Sequence, residues 1–353
     1  MIVHGPEAVY TGEAGRIISF LGSSKAVAGG TMCRTAVIDM GLRDVIDISK
    51  CDMPSVAVSS LGDRIPVIVN HGKTLDSGIA FGDIVAGRLP RNRPVIQVER
   101  LSMPDGTVIL WESGDHGGVL ELAEKIAVQF GLDLMIRRPD IRGVKERDGT
   151  VYRQVNGVTP GEPLFIDGHL VGTVSSYQVL LTARNGTIVD VQGVDVKATG
   201  LKRAGLIDLH KAMIKSGFLR NSTIRPFICP VSGDYGRIAI IDHSAFSSIE
   251  SIGPDTICAL TVGDDTTEVA GDVLARHGIR IMGITDGDRD TLLADPAKAP
   301  GSVVIRVSGI TDDDAGAEIG TVVRDMQDTF EGFLKRATGV LDRRKISYTI
   351  VRY

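Results

Sequence analysis

GDDTTEVAGDVLARHGIRIMGITDGDRD, residues 263–290, reads as a turn, a helix, a strand and a second turn. Val269, Ala270, Val273 and Leu274 recur at helical spacing, and Gly278 stands where such a helix would stop. IRIMGI (279–284) is a short apolar run of the kind that forms a buried strand, and ICALTV (257–262) before the first turn is another. A strand–helix–strand crossover is right-handed and makes its two strands parallel, often adjacent. The turns after 262 and 284 therefore fall on one edge of one sheet, and their aspartates can meet there.

Working outward, RIAII (237–241) precedes this unit and VVIRV (303–307) follows it, with helices expected near 267–277 and 313–336 and a last strand in ISYTIVRY. The opening residues alternate in the same way. MIVHG, PVIVN (66–70) and PVIQV (94–98) read as strands. Ala14, Ile17, Ile18 and Leu21 mark one helix, Cys33, Ala36, Val37 and Met40 a second, and Val119 to Phe130, closed by Gly131, a third. Between these halves come TVYRQV, PLFIDGHLVGTV and QVLLTARNGTIVDVQGV, with Asp167-Gly168 and Asn185-Gly186 as hairpin turns. LKRAGLIDLHKAMIKSG (201–217) reads as a helix. The expected fold is α/β: two mainly parallel Rossmann-like lobes, 1–135 and 197–353, with a β-rich insert over 136–196.

A chain of 353 residues with 43% hydrophobic and 24% charged residues can build more than one core. A net charge of −5 argues against general nucleic-acid or membrane-surface binding. Cys33, Cys51, Cys229 and Cys258 are dispersed without a CxxC, the pattern of reduced cytoplasmic thiols. No apolar run approaches the ~18 residues of a spanning helix, and MIVHGPEAVY lacks the features of a signal peptide. Oligomeric state is not legible.

Asp264 and Asp265 follow one strand, and Asp286 and Asp288 the next. Carboxylates held together need a cation, and an all-oxygen set suits Mg2+ or Mn2+. Gly263, Thr266 and Thr267 lie at the start of the helix, where free N–H groups favour an anion such as a phosphate. Asp and Thr are also favoured helix caps, so Asp265 or Thr266 can serve the helix alone, and Asp312–Asp314 read as solvated caps of the last helix. In the first half, Gly29, Gly30 and Thr31 form a strand–GGT–helix turn suited to an anionic cofactor, with Arg34 one turn in. Thr31 reads as the cap. Asn70-His71-Gly72-Lys73-Thr74 ends like a P-loop, but Val67 stands where its first glycine belongs. His4, His71 and Lys73 would share the carboxyl edge of the first sheet. Residues 197–225 carry seven basic residues against Asp208.

HGPE (4–7), AGGTMCRTAVIDMG (28–41), VNHGKT (69–74), IAIIDHSA (238–245) and the 262–290 stretch together resemble a family of uncharacterised conserved proteins of methanogenic archaea. That resemblance implies a cytoplasmic setting and no particular activity. The 263–290 stretch also resembles the metal–phosphate edge of phosphofructokinases, with Gly263-Asp264-Asp265-Thr266 and Thr285-Asp286-Gly287-Asp288 as the matching turns. It departs from that pattern in lacking the glycine doublet and in having Arg280 in place of proline. Asp286-x-Asp288 is similar to the Toprim metal pair, without its glutamate on an earlier strand. The leading expectation is a divalent-metal-dependent enzyme or binder acting on a phosphorylated small molecule or nucleotide. The alternatives are a non-catalytic ligand-binding or assembly protein of methanogen metabolism, and a Toprim-like nucleic-acid enzyme.

Overall fold

The computed structural model describes residues 1–22, 26–50, 52–90, 93–111, 118–139, 143–217, 224–231, 233–242, 245, 252–287 and 296–353. Asp288, Cys51 and His243 lie outside them. The chain divides into two compact units, Met1–Ile224 and Arg225–Tyr353.

The first unit begins with seven strands: β1 Ile2–His4, β2 Ala26–Gly29, β3 Ile46–Asp47, β4 Val67–Asn70, β5 Val95–Glu99, β6 Thr107–Trp111 and β7 Asp133–Arg137. They form one sheet in the order β3-β2-β1-β4-β5-β6-β7, parallel except for the β5–β6 pair. The helices are α1 Glu7–Tyr10, α2 Glu13–Leu21, α3 Thr31–Asp39, α4 Pro54–Ser59, α5 Leu75–Gly87 and α6 Val119–Phe130. One apolar core gathers α1, α2, α3 and α6 against the sheet; a second gathers α4 and α5 with Ile2, Ile68, Ile109 and Trp111. Two covered faces explain why the central strands read as unbroken apolar runs. Gly131 ends α6 at φ 65°, as its position predicts.

The sheet is tightest under α5. Gly78 and Gly82, one turn apart, face a buried polar chain. Trp111 Nε1 donates to Gln97 Oε1 at 2.8 Å, Gln97 Nε2 to Glu99 Oε2 at 2.7 Å, and Asn70 Nδ2 to the same oxygen at 2.7 Å. A methyl on either glycine would strike Glu99 or Gln97.

The rest of this unit is antiparallel. Strands β8 Val144–Arg147, β9 Thr150–Val155, β10 Pro163–Ile166, β11 His169–Val174, β12 Val179–Arg184, β13 Thr187–Gln192, β14 Val194–Val196 and β15 Ile214–Ser216 form two four-stranded sheets, β14-β11-β10-β15 and β13-β12-β9-β8. Asp167-Gly168 and Asn185-Gly186 turn the β10–β11 and β12–β13 hairpins, all four residues at positive φ. The helix expected over 201–217 is a shorter α7, Ala198–Ala204, stopped by Gly205 at φ 65°. Beyond it Ile207, Leu209 and Ala212 enter the core of these sheets and β15 pairs with β10, so 197–216 stay with the first unit rather than opening the second.

The second unit holds β16 Tyr235–Asp242, β17 Thr256–Val262, β18 Arg280–Thr285, β19 Val303–Ser308, β20 Gln327–Thr329 and β21 Ser347–Arg352, in the order β20-β16-β17-β18-β19-β21. β16 to β19 are parallel, and β20 and β21 are antiparallel edges. Helices α8 Asp264–Ala275, α9 Asp312–Val323 and α10 Phe330–Arg343 pack on them. The single helix expected over 313–336 is broken in two: Asp325 takes φ 58°, β20 pairs with β16, and Thr329 caps α10 through Gly332 N.

Candidate functional site

In the second unit, β17, β18 and β19 are neighbours, so the turns that follow them lie side by side. Gly263 turns the chain at φ 104° and is the N-cap of α8, which therefore starts at Asp264 rather than near Thr267. Asp264 occupies the first helical position. Its Oδ2 accepts from Asp286 N at 3.1 Å and Gly287 N at 2.9 Å, pinning the turn after β18. The third turn ends at Thr311, whose hydroxyl caps α9 by accepting from Asp314 N. Asp312 then begins α9 and is buried at 5% exposure. Gly316, one turn on, lets α9 press on Val262 of β17, where a methyl would collide.

The outcome is a triad. Asp264, Asp286 and Asp312 each present a carboxylate oxygen, and these lie within 4.8 Å of one another. Asp286 Oδ1 is buried and accepts no hydrogen bond among the described residues. The structure thus unites Asp264 with Asp286 and adds Asp312, which the sequence suggested as a solvated cap. Asp265 is not in the group, and Asp288 is outside the described residues. Neither α8 nor α9 is capped by an aspartate: Gly263 and Thr311 hold those positions. Thr266 and Thr267 are buried, and the Thr267 hydroxyl bonds Thr261 Oγ1 at 2.8 Å, which ties α8 to the sheet. Arg306, missed in the sequence, is exposed on β19 beside Thr285, and a methyl on Gly287 would meet its guanidinium carbon at 2.6 Å. The only hint was a cation at the edge end of an otherwise apolar strand.

The first unit has its own carboxyl edge. Register places Gly29, His4, Asn70 and Glu99 in one row across β2, β1, β4 and β5. The chain order reverses beside β1, where open α/β sheets form a ligand crevice. His4 stacks on Phe81 at 4.0 Å, and its Nδ1 donates to Asn70 Oδ1 at 2.6 Å. Glu99 is fully buried and accepts from Asn70, Gln97 and Gly72 N; burial pushes its carboxyl above the usual range, and those donors oppose the shift. His71 donates from Nδ1 to Glu13 Oε1 at 2.9 Å, which raises its pKa. Glu13 is itself fully buried, and Ser102 N donates to the same oxygen. The sequence did contain a signal for Glu13: it is an acid four residues before Ile17, on the buried face of α2. Lys73 is exposed, but its Nζ is engaged within the protein. Its Nζ bonds Glu162 at 2.6 Å and the carbonyls of Ser216 and Gly157. Gly29 ends β2 and Gly30 links it to α3; the N-cap is Gly30 at φ 87°, and Thr31 is the first helical residue.

His4 makes a pH-dependent contribution with a definite sign. Burial lowers its pKa to about 4 from an ordinary 6.5. Between those values the unfolded chain binds a proton that the folded chain does not, so stability rises with pH across this window and is lost as pH falls toward 4. His4 as a whole residue is only partly buried, so we expect about 2 kcal/mol rather than the full linkage value. Urea titrations of wild type and His4→Gln at pH 7 and 4.5 measure it; equal losses in the two proteins would contradict the expectation.

Among the described residues, no helix is long and apolar enough to cross a membrane. Residues 1–327 match a family described as an uncharacterized protein conserved in archaea, DUF2117. An uncharacterized protein of Methanocaldococcus jannaschii is 41% identical over 323 residues, covering 90% of this chain and 88% of its own length. No solved structure matches.

Proposed function

This chain belongs to the archaeal family DUF2117, and we propose that it is a divalent-metal-dependent enzyme or binder acting on a phosphorylated small molecule or nucleotide at the carboxyl edge of the second unit's sheet. One observation carries the reading: three carboxylates from three neighbouring strand ends meet within 4.8 Å, and one buried oxygen among them, Asp286 Oδ1, has no donor among the described residues. Like charges so close call for a cation, and oxygen donors alone suit Mg2+ or Mn2+. Mg2+ retains waters and binds through few carboxylates plus substrate phosphates. Asp264, Asp286 and Asp312 would hold it, and Arg306 would meet the phosphate.

The strand order of the first unit and the parallel β16–β19 sheet support reading both units as Rossmann-like lobes. Dispersed free thiols at Cys33, Cys229 and Cys258 support a cytoplasmic setting.

A second reading has an observation of its own. Asp264 already accepts two amides, as a residue that only latches the 286–287 turn would. Calorimetry with Mg2+ and Mn2+, with and without inorganic pyrophosphate, separates the two. Asp286→Asn and Asp312→Asn should each weaken binding at least tenfold, about 1.4 kcal/mol, with the fold retained. Wild type that takes up neither ion, or variants that bind as tightly as wild type, would leave the latch as the explanation.

A further inference from the structure

We propose that the first unit holds a separate site for a phosphate-bearing anion, formed by Arg34 and the N-terminus of α3. Arg34 is 8% exposed, yet its Nε is buried with no acceptor among the described residues. Among the described residues no carboxylate pairs with its guanidinium. The opposite case occurs in the same protein: buried Arg276 is paired with Asp272 at 2.8 Å. A buried N–H without an acceptor is costly, and an acceptor from a ligand would remove that cost.

The position of Arg34 suggests what completes it. A helical side chain leans toward its helix N-terminus and covers the preceding turn. Arg34 is the fourth residue of α3, so this lean would carry it back toward Thr31 and Gly30. Thr31, three residues earlier, shares that face. The nine residues of α3 direct their first amides and the positive end of the helix dipole to the same place. Gly30 adopts φ 87°, and a methyl there would meet nothing within 4 Å, so the backbone is open to close approach. Gly29 stands at the carboxyl end of β2, next to His4 of β1, where the chain order reverses. A planar fork of donors beside a helix N-terminus matches a phosphate or pyrophosphate group better than a single point charge would. This site does not depend on the acidic triad, and it requires no metal.

The test is thermal unfolding of the full chain in EDTA with inorganic phosphate, pyrophosphate or acetate. Phosphate or pyrophosphate should raise the Tm of wild type, and acetate should not. Arg34→Met should melt no lower than wild type without ligand, because an unsatisfied buried N–H has been replaced by an apolar chain, and it should show no phosphate shift. Arg34→Lys, which keeps the charge and lacks the fork, should bind at least tenfold more weakly. Asp286→Asn should keep the full shift, which separates this site from the metal reading. The proposal is overturned by a wild type indifferent to both phosphates or equally responsive to acetate, by an undiminished shift in either Arg34 variant, or by the loss of the shift in Asp286→Asn. It is also overturned if Arg34→Met melts below wild type, since Arg34 would then be a structural residue.

Discussion

Asp272→Ala is expected to cost the second unit about 3–5 kcal/mol. Asp272 of α8 and Arg276, the C-cap of that helix, are one turn apart, both essentially without solvent contact, with Arg276 Nη1 2.8 Å from Asp272 Oδ2. The other carboxylate oxygen accepts from Ala297 N at 3.0 Å. α8 is buried from Thr266 to Ala275, so no water replaces a lost partner. Removing the carboxylate takes the charge partner from a guanidinium that keeps the Asp272 carbonyl, and it strands the Ala297 amide; lost buried partners are penalised. Removing both charges should be far milder, because an apolar replacement needs no partner. Urea denaturation of Asp272→Ala and of Asp272→Ala/Arg276→Met provides the measurement. A single variant that loses less than about 1 kcal/mol, or a double variant no better than the single, would show that the pair is not holding α8 in place.

Gly82→Ala should destabilise the first unit by a similar amount, about 3–5 kcal/mol, as overpacking adds to the disruption of a buried hydrogen-bond chain. Alanine is ordinarily the better helix former by about 1 kcal/mol, so the sign is set by packing against propensity. The added methyl would fall on Gln97 Oε1 and within 2.6 Å of Trp111 Nε1. Gln97 cannot retreat, since its amide also donates to Gly78 O at 2.8 Å and to Glu99. Glu99 in turn holds Asn70 and Gly72 N, so the damage should reach the turn carrying His71. Urea titration gives the loss in stability, and the NMR titration of His71 reports the second effect. A Gly82→Ala protein as stable as wild type, with His71 unchanged, would mean that α5 can lift off the sheet at little cost.

Several features were legible in the sequence because they are local. The 3.6-residue spacing in α2 and α6, the apolar runs of β4, β5, β17 and β18, and the Asp-Gly and Asn-Gly hairpins each follow from neighbours in the chain. So did the meeting of Asp264 with Asp286: a single crossover joins their strands, and its handedness makes them parallel. Tertiary structure decided the rest. Asp312 joins the triad because β19 lies beside β18 and Gly316 lets α9 close on Val262, two contacts that no local pattern encodes. The 201–217 segment resembles a helix by spacing, but Gly205 and pairing with β10 bring its far end into a sheet. His71 gained Glu13 and Lys73 gained Glu162 across separations of 58 and 89 residues. Sequence periodicity determines which face of an element is apolar. Which polar groups meet at a sheet edge depends on strand order and register, and these are set by the packing of the whole unit.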